Sequence, residues 1–271
     1  MNNIKLLVLD MDGTSYYKMG EIVPDNIEPI KKAQDQGVGV MFVTGRPVLA
    51  KQNNLEGHGL VRNHAIIAGC NGACIYDLQQ QKVLASNPID AKDAQYVFEL
   101  AKQPEFAGTQ IWGYVDDLKN VVVQYRNDKM YFGEAEFFDG KIQQYDEVSK
   151  NFDFKFFKLL ALGAKPGFVQ KLREQTNLEI ASGDDVVAEI NATGINKRFA
   201  LDWFSEYLNI PIANMMAVGD GMNDYSMIKH AGIGVAMSNS VQNIKDIADL
   251  YIDIHGHDAA VKHLIEKYIL K

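Results

Sequence analysis

Short apolar runs and stretches of helical period alternate at both ends of the chain. Ile4–Leu9 reads as a buried strand, halted by Asp10-Met11-Asp12-Gly13. A helix is expected from near Asp25, a good N-cap, with Glu28 in its first turn and Ile27, Ile30 and Ala33 on its apolar face. Gly37 is placed to end it. Val38–Val43 reads as a second buried strand, interrupted by Thr44-Gly45-Arg46-Pro47, and Pro47 suits the first turn of another helix.

The far end repeats this pattern. Ala200, Phe204, Tyr207 and Leu208 share one helical face, and Met215–Val218 is a short apolar strand running into Gly219-Asp220-Gly221. Gly232–Ala236 reads as a further strand, and Val261, Leu264, Ile265 and Tyr268 form the stripe of a last helix. Strand, loop and helix in repetition imply an α/β fold, a Rossmann-like parallel sheet with helices on both faces. The middle differs, with one clear helix over about Asp90–Lys102 and strand-like segments at Val121–Tyr125 and Phe154–Leu160. Phe138-Asp139-Gly140-Lys141 has hairpin-like punctuation. A helix near Pro166–Thr176 and short strands around Leu178–Ala181 and Val186–Ile190 follow. The expected organisation is therefore a core of residues 1–84 and 191–271, carrying an inserted α+β domain over 85–190.

Composition narrows the function classes. The 271 residues carry 27 Lys+Arg against 35 Asp+Glu, a net charge of −8, which argues against a nucleic-acid binder. With 47% apolar and 23% charged residues, global disorder and fibrous repeats are excluded. No uninterrupted apolar run has membrane-spanning length, and the short run ending at Asp10 is expected to be neither signal peptide nor anchor. Cys70 and Cys74, the only cysteines, make neither a disulfide framework nor a zinc site. A reduced, cytoplasmic setting follows as the expectation.

Candidate chemistry gathers where strands end. Asp10-Met11-Asp12-Gly13-Thr14 sets two carboxylates two residues apart beyond the first strand, where ligand sites of open parallel sheets lie. Close like charges need a cation or a shared proton, and Mg²⁺ prefers such hard oxygen ligands. Taken alone, the pair could equally be turn or capping aspartates. Gly219-Asp220-Gly221-Met222-Asn223-Asp224 adds two carboxylates and an amide after another strand, and together the two loops describe a divalent-metal site. Thr44 and Gly45 would suit a phosphate oxygen, although a plain turn reads as well. Lys197, at the start of an Asn196–Leu208 helix, is either a solvated lysine or a phosphate partner beside a helix N-terminus.

In order, Asp10-x-Asp12-Gly13-Thr14, Thr44, Lys197 and Gly219-Asp220-Gly221-x-Asn223-Asp224 resemble the four motifs of the haloacid dehalogenase-like (HAD) hydrolase superfamily. Val43–Pro47, Asn71-Gly72-Ala73-Cys74-Ile75-Tyr76-Asp77 and Val235-Ala236-Met237-Ser238-Asn239 look like its Cof-type branch with a IIB cap. The resemblance implies a phosphatase acting on small soluble phosphomonoesters, such as sugar phosphates or phosphorylated cofactors. It implies Asp10 as nucleophile, forming an aspartyl-phosphate, and Asp12 as general acid and then base. It further implies Mg²⁺ held by Asp10, the Asp12 main-chain carbonyl and Asp220, with Asp224 nearby. Thr44, Gly45, Lys197 and Asn223 would hold or orient the phosphoryl oxygens. Asp12, where the superfamily's ion pumps carry Thr, implies phosphatase or phosphomutase turnover.

Residues 85–190 would be the cap that selects substrate. Trp112, Tyr114, Tyr125 and Tyr131 could line its pocket, although such aromatics are more often core. The other functions the motifs allow are a phosphomutase or phosphotransferase and a non-catalytic phosphometabolite sensor. The expected partner is a small phosphorylated metabolite, with no nucleic acid or membrane, in a monomer or small homo-oligomer. Two segments depart from the branch: Ser15-Tyr16-Tyr17, and Ile252–Ala260, where His255 and His257 are expected in a solvated loop rather than as metal ligands.

Overall fold

The computed structural model describes residues 4–62, 65–126, 129–135 and 138–270. Its elements run β1 (Leu6–Leu9), α1 (Pro24–Asp35), β2 (Gly39–Val43), β3 (Ile66–Gly69), β4 (Cys74–Asp77) and β5 (Lys82–Ser86). The middle contributes α2 (Ala91–Ala101), β6 (Gln110–Val115), β7 (Asn120–Val123), α3 (Lys129–Ala135), β8 (Lys141–Gln144), α4 (Tyr145–Val148), β9 (Phe156–Leu162), α5 (Phe168–Gln175), β10 (Glu179–Ala181) and β11 (Val187–Asn191). The chain closes with α6 (Lys197–Leu208), β12 (Met215–Val218), α7 (Tyr225–His230), β13 (Ile233–Met237), α8 (Gln242–Ile247), β14 (Leu250–Ile252) and α9 (Ala260–Tyr268). No helix among the described residues is long and apolar enough to cross a membrane.

Two compact units result, Met1–Leu84 with Asn196–Lys271, and Ala85–Ile195. Residues 191–195 go with the insert rather than with the core to which the sequence assigned them. β11 pairs along β9, and the Asn191 side chain at its end donates to the Phe157 carbonyl.

The first unit is built on an eight-stranded sheet of order β14-β13-β12-β1-β2-β3-β4-β5. Its strands run parallel from β14 to β3, and β4 is antiparallel to β3. All four residues of β1 are buried, as a central parallel strand covered on both faces requires. α1 packs against β2 and α9, while α7 packs against α6, β12 and β13. The strand following β1 in sequence lies on one side of it and β12 on the other, so the sheet's switch point falls at the carboxyl end of β1.

Several local expectations give way to tertiary contacts. Asp25 is not the N-cap of α1: Pro24 opens the helix, and Asp25 pairs instead with Lys262. Pro47 opens no α-helix; among the described residues the only helical segment between it and β3 is a short 3-10 turn, Lys51–Asn53. The chain turns there, with the Ala50 N–H bonded to the Pro47 carbonyl and the Asn53 amide donating to the Pro47 and Val48 carbonyls. On α6 the buried stripe is Lys197, Ala200, Leu201 and Phe204, whereas Tyr207 is half exposed and stacks on Trp203 at 4.5 Å.

The insert carries a six-stranded sheet of order β10-β11-β9-β6-β7-β8. Ile111, Leu159, Ala161, Ala188 and Ile190 pack with α2 and α5 residues in its main core. The alternate positions Trp112, Tyr114, Val121, Val123, Leu160 and Leu162 form a second cluster, with Tyr131 and Phe138 against it. Those aromatics are therefore core, and the Tyr125 backbone is bonded to the Gln110 side chain. Phe138–Lys141 is not a hairpin turn: it leads into β8, which runs parallel to β7.

Candidate active site

The loops after β1, β2 and β12 converge because their strands are neighbours. Asp10 is held at the end of β1 by its N–H donating to the Val218 carbonyl at 3.0 Å. Gly13, at φ +83°, turns the chain beside Asp220, whose Oδ2 would lie 2.6 Å from any Cβ there. Lys197 is wholly buried at the first turn of α6, where the Asn196 side chain accepts from the Arg198 and Phe199 N–H groups. Gly72 lets that helix end approach, since a Cβ would stand 3.1 Å from the Asn196 carbonyl.

Lys197 is thus no solvated lysine. Its Nζ lies 2.5 Å from Asp10 Oδ1 and 2.5 Å from Asp224 Oδ1. Asp224 Oδ2 accepts from the Asp220 and Gly221 N–H groups at 2.9 Å each. Asp220 accepts from Thr14 Oγ1 at 3.1 Å and from the Asn239 amide at 3.3 Å. Oxygens of Asp10, Asp220 and Asp224 all lie within 4.8 Å of one another.

Three carboxylates around one ammonium leave negative charge uncompensated. Burial, reinforced by the charge of Asp224, raises Asp10 well above the usual carboxylate range and pushes Asp220 up to about 7. Burial alone would lower Lys197, but the Asp10 and Asp224 charges outweigh it and hold the ammonium firmly protonated. A buried set of hard oxygen donors with surplus negative charge fits a small divalent cation such as Mg²⁺.

The Asp12 side chain is apart from this cluster. Arg46 grips it with Nε to Oδ2 at 2.7 Å and Nη2 to Oδ1 at 2.5 Å, and the Met19 N–H donates to Oδ1 at 2.7 Å. Thr44 is buried, and its Oγ1 accepts from the Arg46 N–H at 3.1 Å, which leaves the hydroxyl hydrogen to donate elsewhere. Asn223 Nδ2 lies 3.5 Å from Asn71 Oδ1, and the Asn71 N–H bonds to the Thr44 carbonyl. Cys70 (φ +49°), Asn71 (φ +59°) and Gly72 (φ +99°) form a run of left-handed residues beside the site.

Arg46, Thr14, Asn71 and Asn239 had no individual role in the sequence. Arg46 carried the nearest signal, a lone cation after a strand end in a site rich in acids. His255 and His257 are outside the carboxylate cluster, and their loop is not simply solvated. His257 Nε2 accepts from the Lys18 N–H at 3.0 Å, and its ring meets Tyr17 edge-on at 5.3 Å. Burial and the neighbouring His255 lower its pKa, which favours the neutral ring that this acceptor role needs. The two segments that depart from the Cof-type pattern therefore touch each other.

A parallel α/β core presenting an acidic cluster and a buried lysine at its switch point, with an α+β insert, defines a class of phosphoryl-transfer hydrolase. The chain belongs to the haloacid dehalogenase-like hydrolase family, whose sequence pattern matches residues 7–265. It is 30% identical over 264 residues to the 5-amino-6-(5-phospho-D-ribitylamino)uracil phosphatase YcsE of Bacillus subtilis, covering 96% of this chain and 94% of that one. It is 26% identical to an HMP-PP phosphatase of Yersinia pseudotuberculosis, covering 98% and 95%. Among solved structures, a HAD subclass IIB sugar phosphatase has the same fold, with a TM-score of 0.83 at 21% identity over 98% of this chain and all of the other. A haloacid dehalogenase-like hydrolase from Bacteroides thetaiotaomicron gives 0.80 at 26% identity, over 97% and 98%.

Proposed function

We propose that this HAD-type phosphatase hydrolyses small phosphorylated metabolites, sugar phosphates or phosphorylated cofactors, through an aspartyl-phosphate on Asp10. The observation that carries this reading is the buried Lys197 bridging Asp10 and Asp224, with Asp220 beside them. A carboxylate nucleophile would repel a phosphate dianion unless positive charge stood next to it, and Lys197 supplies a fixed part of that charge, the remainder falling to the cation.

In the first half-reaction an Asp10 oxygen attacks phosphorus, the bond to the substrate oxygen breaks, and Asp12 gives its proton to the departing alcohol. Asp12 then takes a proton from the water that attacks phosphorus, releasing phosphate and restoring Asp10. To reach the leaving oxygen, Asp12 exchanges its contacts with Arg46 and Met19 for contacts with substrate. The Thr44 hydroxyl, the Gly45 N–H, Lys197 and the Asn223 amide hold the transferring oxygens. Asp10, the Asp12 carbonyl and Asp220, with Asp224 nearby, would hold Mg²⁺, which when bound would supply positive charge to offset that of the phosphoryl group. The insert acts as the cap that selects the leaving group and excludes water. The named substrates of the YcsE and HMP-PP relatives support a small metabolite as the class. Cys70 and Cys74 are buried thiols, in accord with a reducing, cytoplasmic setting.

The test is phosphate release from an aryl phosphate and a panel of sugar and cofactor phosphates, with Mg²⁺ or with chelator, for wild type and Asp10→Asn. Release that needs Mg²⁺ and is lost in the variant is expected. Normal turnover by Asp10→Asn would overturn the mechanism.

A further inference from the structure

The Asp220 carboxylate is held from both sides by neutral donors, Thr14 Oγ1 on Oδ1 at 3.1 Å and Asn239 Nδ2 on Oδ2 at 3.3 Å. The same Asn239 nitrogen donates to the Gly13 carbonyl at 2.9 Å, and Asn239 Oδ1 accepts from the Gly256 N–H at 2.8 Å. One amide therefore joins three segments: the turn after β1, the loop after β12 and the loop after β14. Packing between them is tight, since a Cβ on Gly256 would lie 2.1 Å from the Gly13 carbonyl oxygen.

Asn239 is itself fixed by its neighbours. Ser240 Oγ donates to the Gly219 carbonyl at 3.1 Å and accepts from the Met237 N–H at 2.8 Å. The Val241 N–H donates to the Asp220 carbonyl at 2.9 Å. The segment after β13 thus clamps both the main chain and the side chain of Asp220.

We infer that Asn239 is a positioning residue for the divalent-cation site, orienting Asp220 toward the ion and locking the Gly13 turn against it. The inference rests on the metal reading proposed above. A carboxylate that binds a cation is best held by a neutral donor, which fixes its direction without cancelling the charge the cation needs. A lysine or arginine in the same place would cancel it. Asn239 also uses its full capacity: two N–H groups serve Gly13 and Asp220, and its oxygen serves Gly256. The loop at 253–258, which departs from the family pattern, is by this contact a support of the metal site.

The experiment is calorimetric titration of the full-length protein with Mg²⁺, for wild type, Asn239→Ala and Asn239→Ser, beside thermal unfolding in chelator. The Kd for Mg²⁺ is expected to rise roughly tenfold in the variants. The Mg²⁺ concentration for half-maximal aryl phosphate hydrolysis should rise by the same factor, with a smaller fall in kcat at saturating Mg²⁺. A purely structural role would lower the unfolding temperature and leave the Kd alone. Serine, smaller but polar, decides the matter if the alanine variant does not fold. A folded variant that binds Mg²⁺ as wild type does overturns the inference alone. Wild-type protein that binds no Mg²⁺ overturns the metal reading and this inference with it.

Discussion

Arg46 holds Asp12 as a two-pronged fork, Nε on Oδ2 at 2.7 Å and Nη2 on Oδ1 at 2.5 Å, across 34 residues of sequence. Nη2 also donates to the Gly20 carbonyl at 2.8 Å, and the guanidinium lies 5.3 Å from the centre of the Tyr16 ring. Arg46→Ala would leave the Asp12 carboxylate without its counter-charge, held by the Met19 N–H, and would take this donor from the Gly20 carbonyl. Since the Asp12 side chain keeps 27% exposure, the expected loss is about 2 kcal/mol, below the 3–5 kcal/mol of a fully buried pair. Arg46→Lys should recover only part of it, because an ammonium cannot make the fork. Urea denaturation measures both, and no loss of stability in Arg46→Ala would refute the contact's importance.

Lys197→Met removes the ammonium that bridges Asp10 and Asp224 while nearly keeping the length of the side chain. Two buried carboxylates would then face each other unpaired, costing about 3–5 kcal/mol. Phosphate release should fall by about 10²–10³-fold, the usual effect of deleting one preorganised charge partner. Circular dichroism and phosphate assay of the same preparation separate the two effects.

The pH dependence follows from the raised acids. Burial and then Asp224 push Asp220 up to about 7 from 3.8, and Asp10 is raised as well. The folded protein therefore keeps protons that the unfolded chain gives up near pH 4. Without metal, these groups make stability decline as pH rises from about 4 through 7. Mg²⁺ competes with the same protons, so its affinity climbs over that range. Unfolding temperatures with Mg²⁺ and with chelator should diverge between pH 5 and pH 8. Parallel curves would contradict the assignment of these carboxylates as ligands.

Gly256→Ala places a methyl 2.1 Å from a backbone oxygen of the Gly13 turn, a clash that no side-chain rotation relieves. A loss of about 1–3 kcal/mol is expected, with a fall in kcat because the displaced turn lies between Asp12 and Thr14. Gly37→Ala is the control. Its φ of +83° makes alanine strained, yet nothing lies within 4 Å, so it should cost about 1 kcal/mol and leave turnover alone.

Strands of the core were legible because each writes its own signal. Of the eight strands, the four that were read, β1, β2, β12 and β13, are short apolar runs closed by Asp, Thr, Gly or Ser, and the loops after the first three carry Asp10, Thr44 and Asp220. The segments that misled were those whose local pattern admits two outcomes. Pro47 can open a helix, but the Asn53 side chain captures the backbone there, and Tyr207 has helical spacing yet finds Trp203 instead of the core. Phe138–Lys141 has turn chemistry, while β8 takes a parallel place that no turn residue announces.

By itself the amino-acid sequence determined the α/β core, the inserted α+β segment and the order of the four motifs, since apolar period and loop composition are local properties. Only the tertiary structure decided what each polar group faces. Lys197 and Asp10 are 187 residues apart, Thr14 and Asp220 are 206, and Asn239 and Gly13 are 226. Nothing in either stretch of such a pair specifies its partner. They meet because β1 sits between β2 and β12, and sheet order is set by how the whole chain buries its strands.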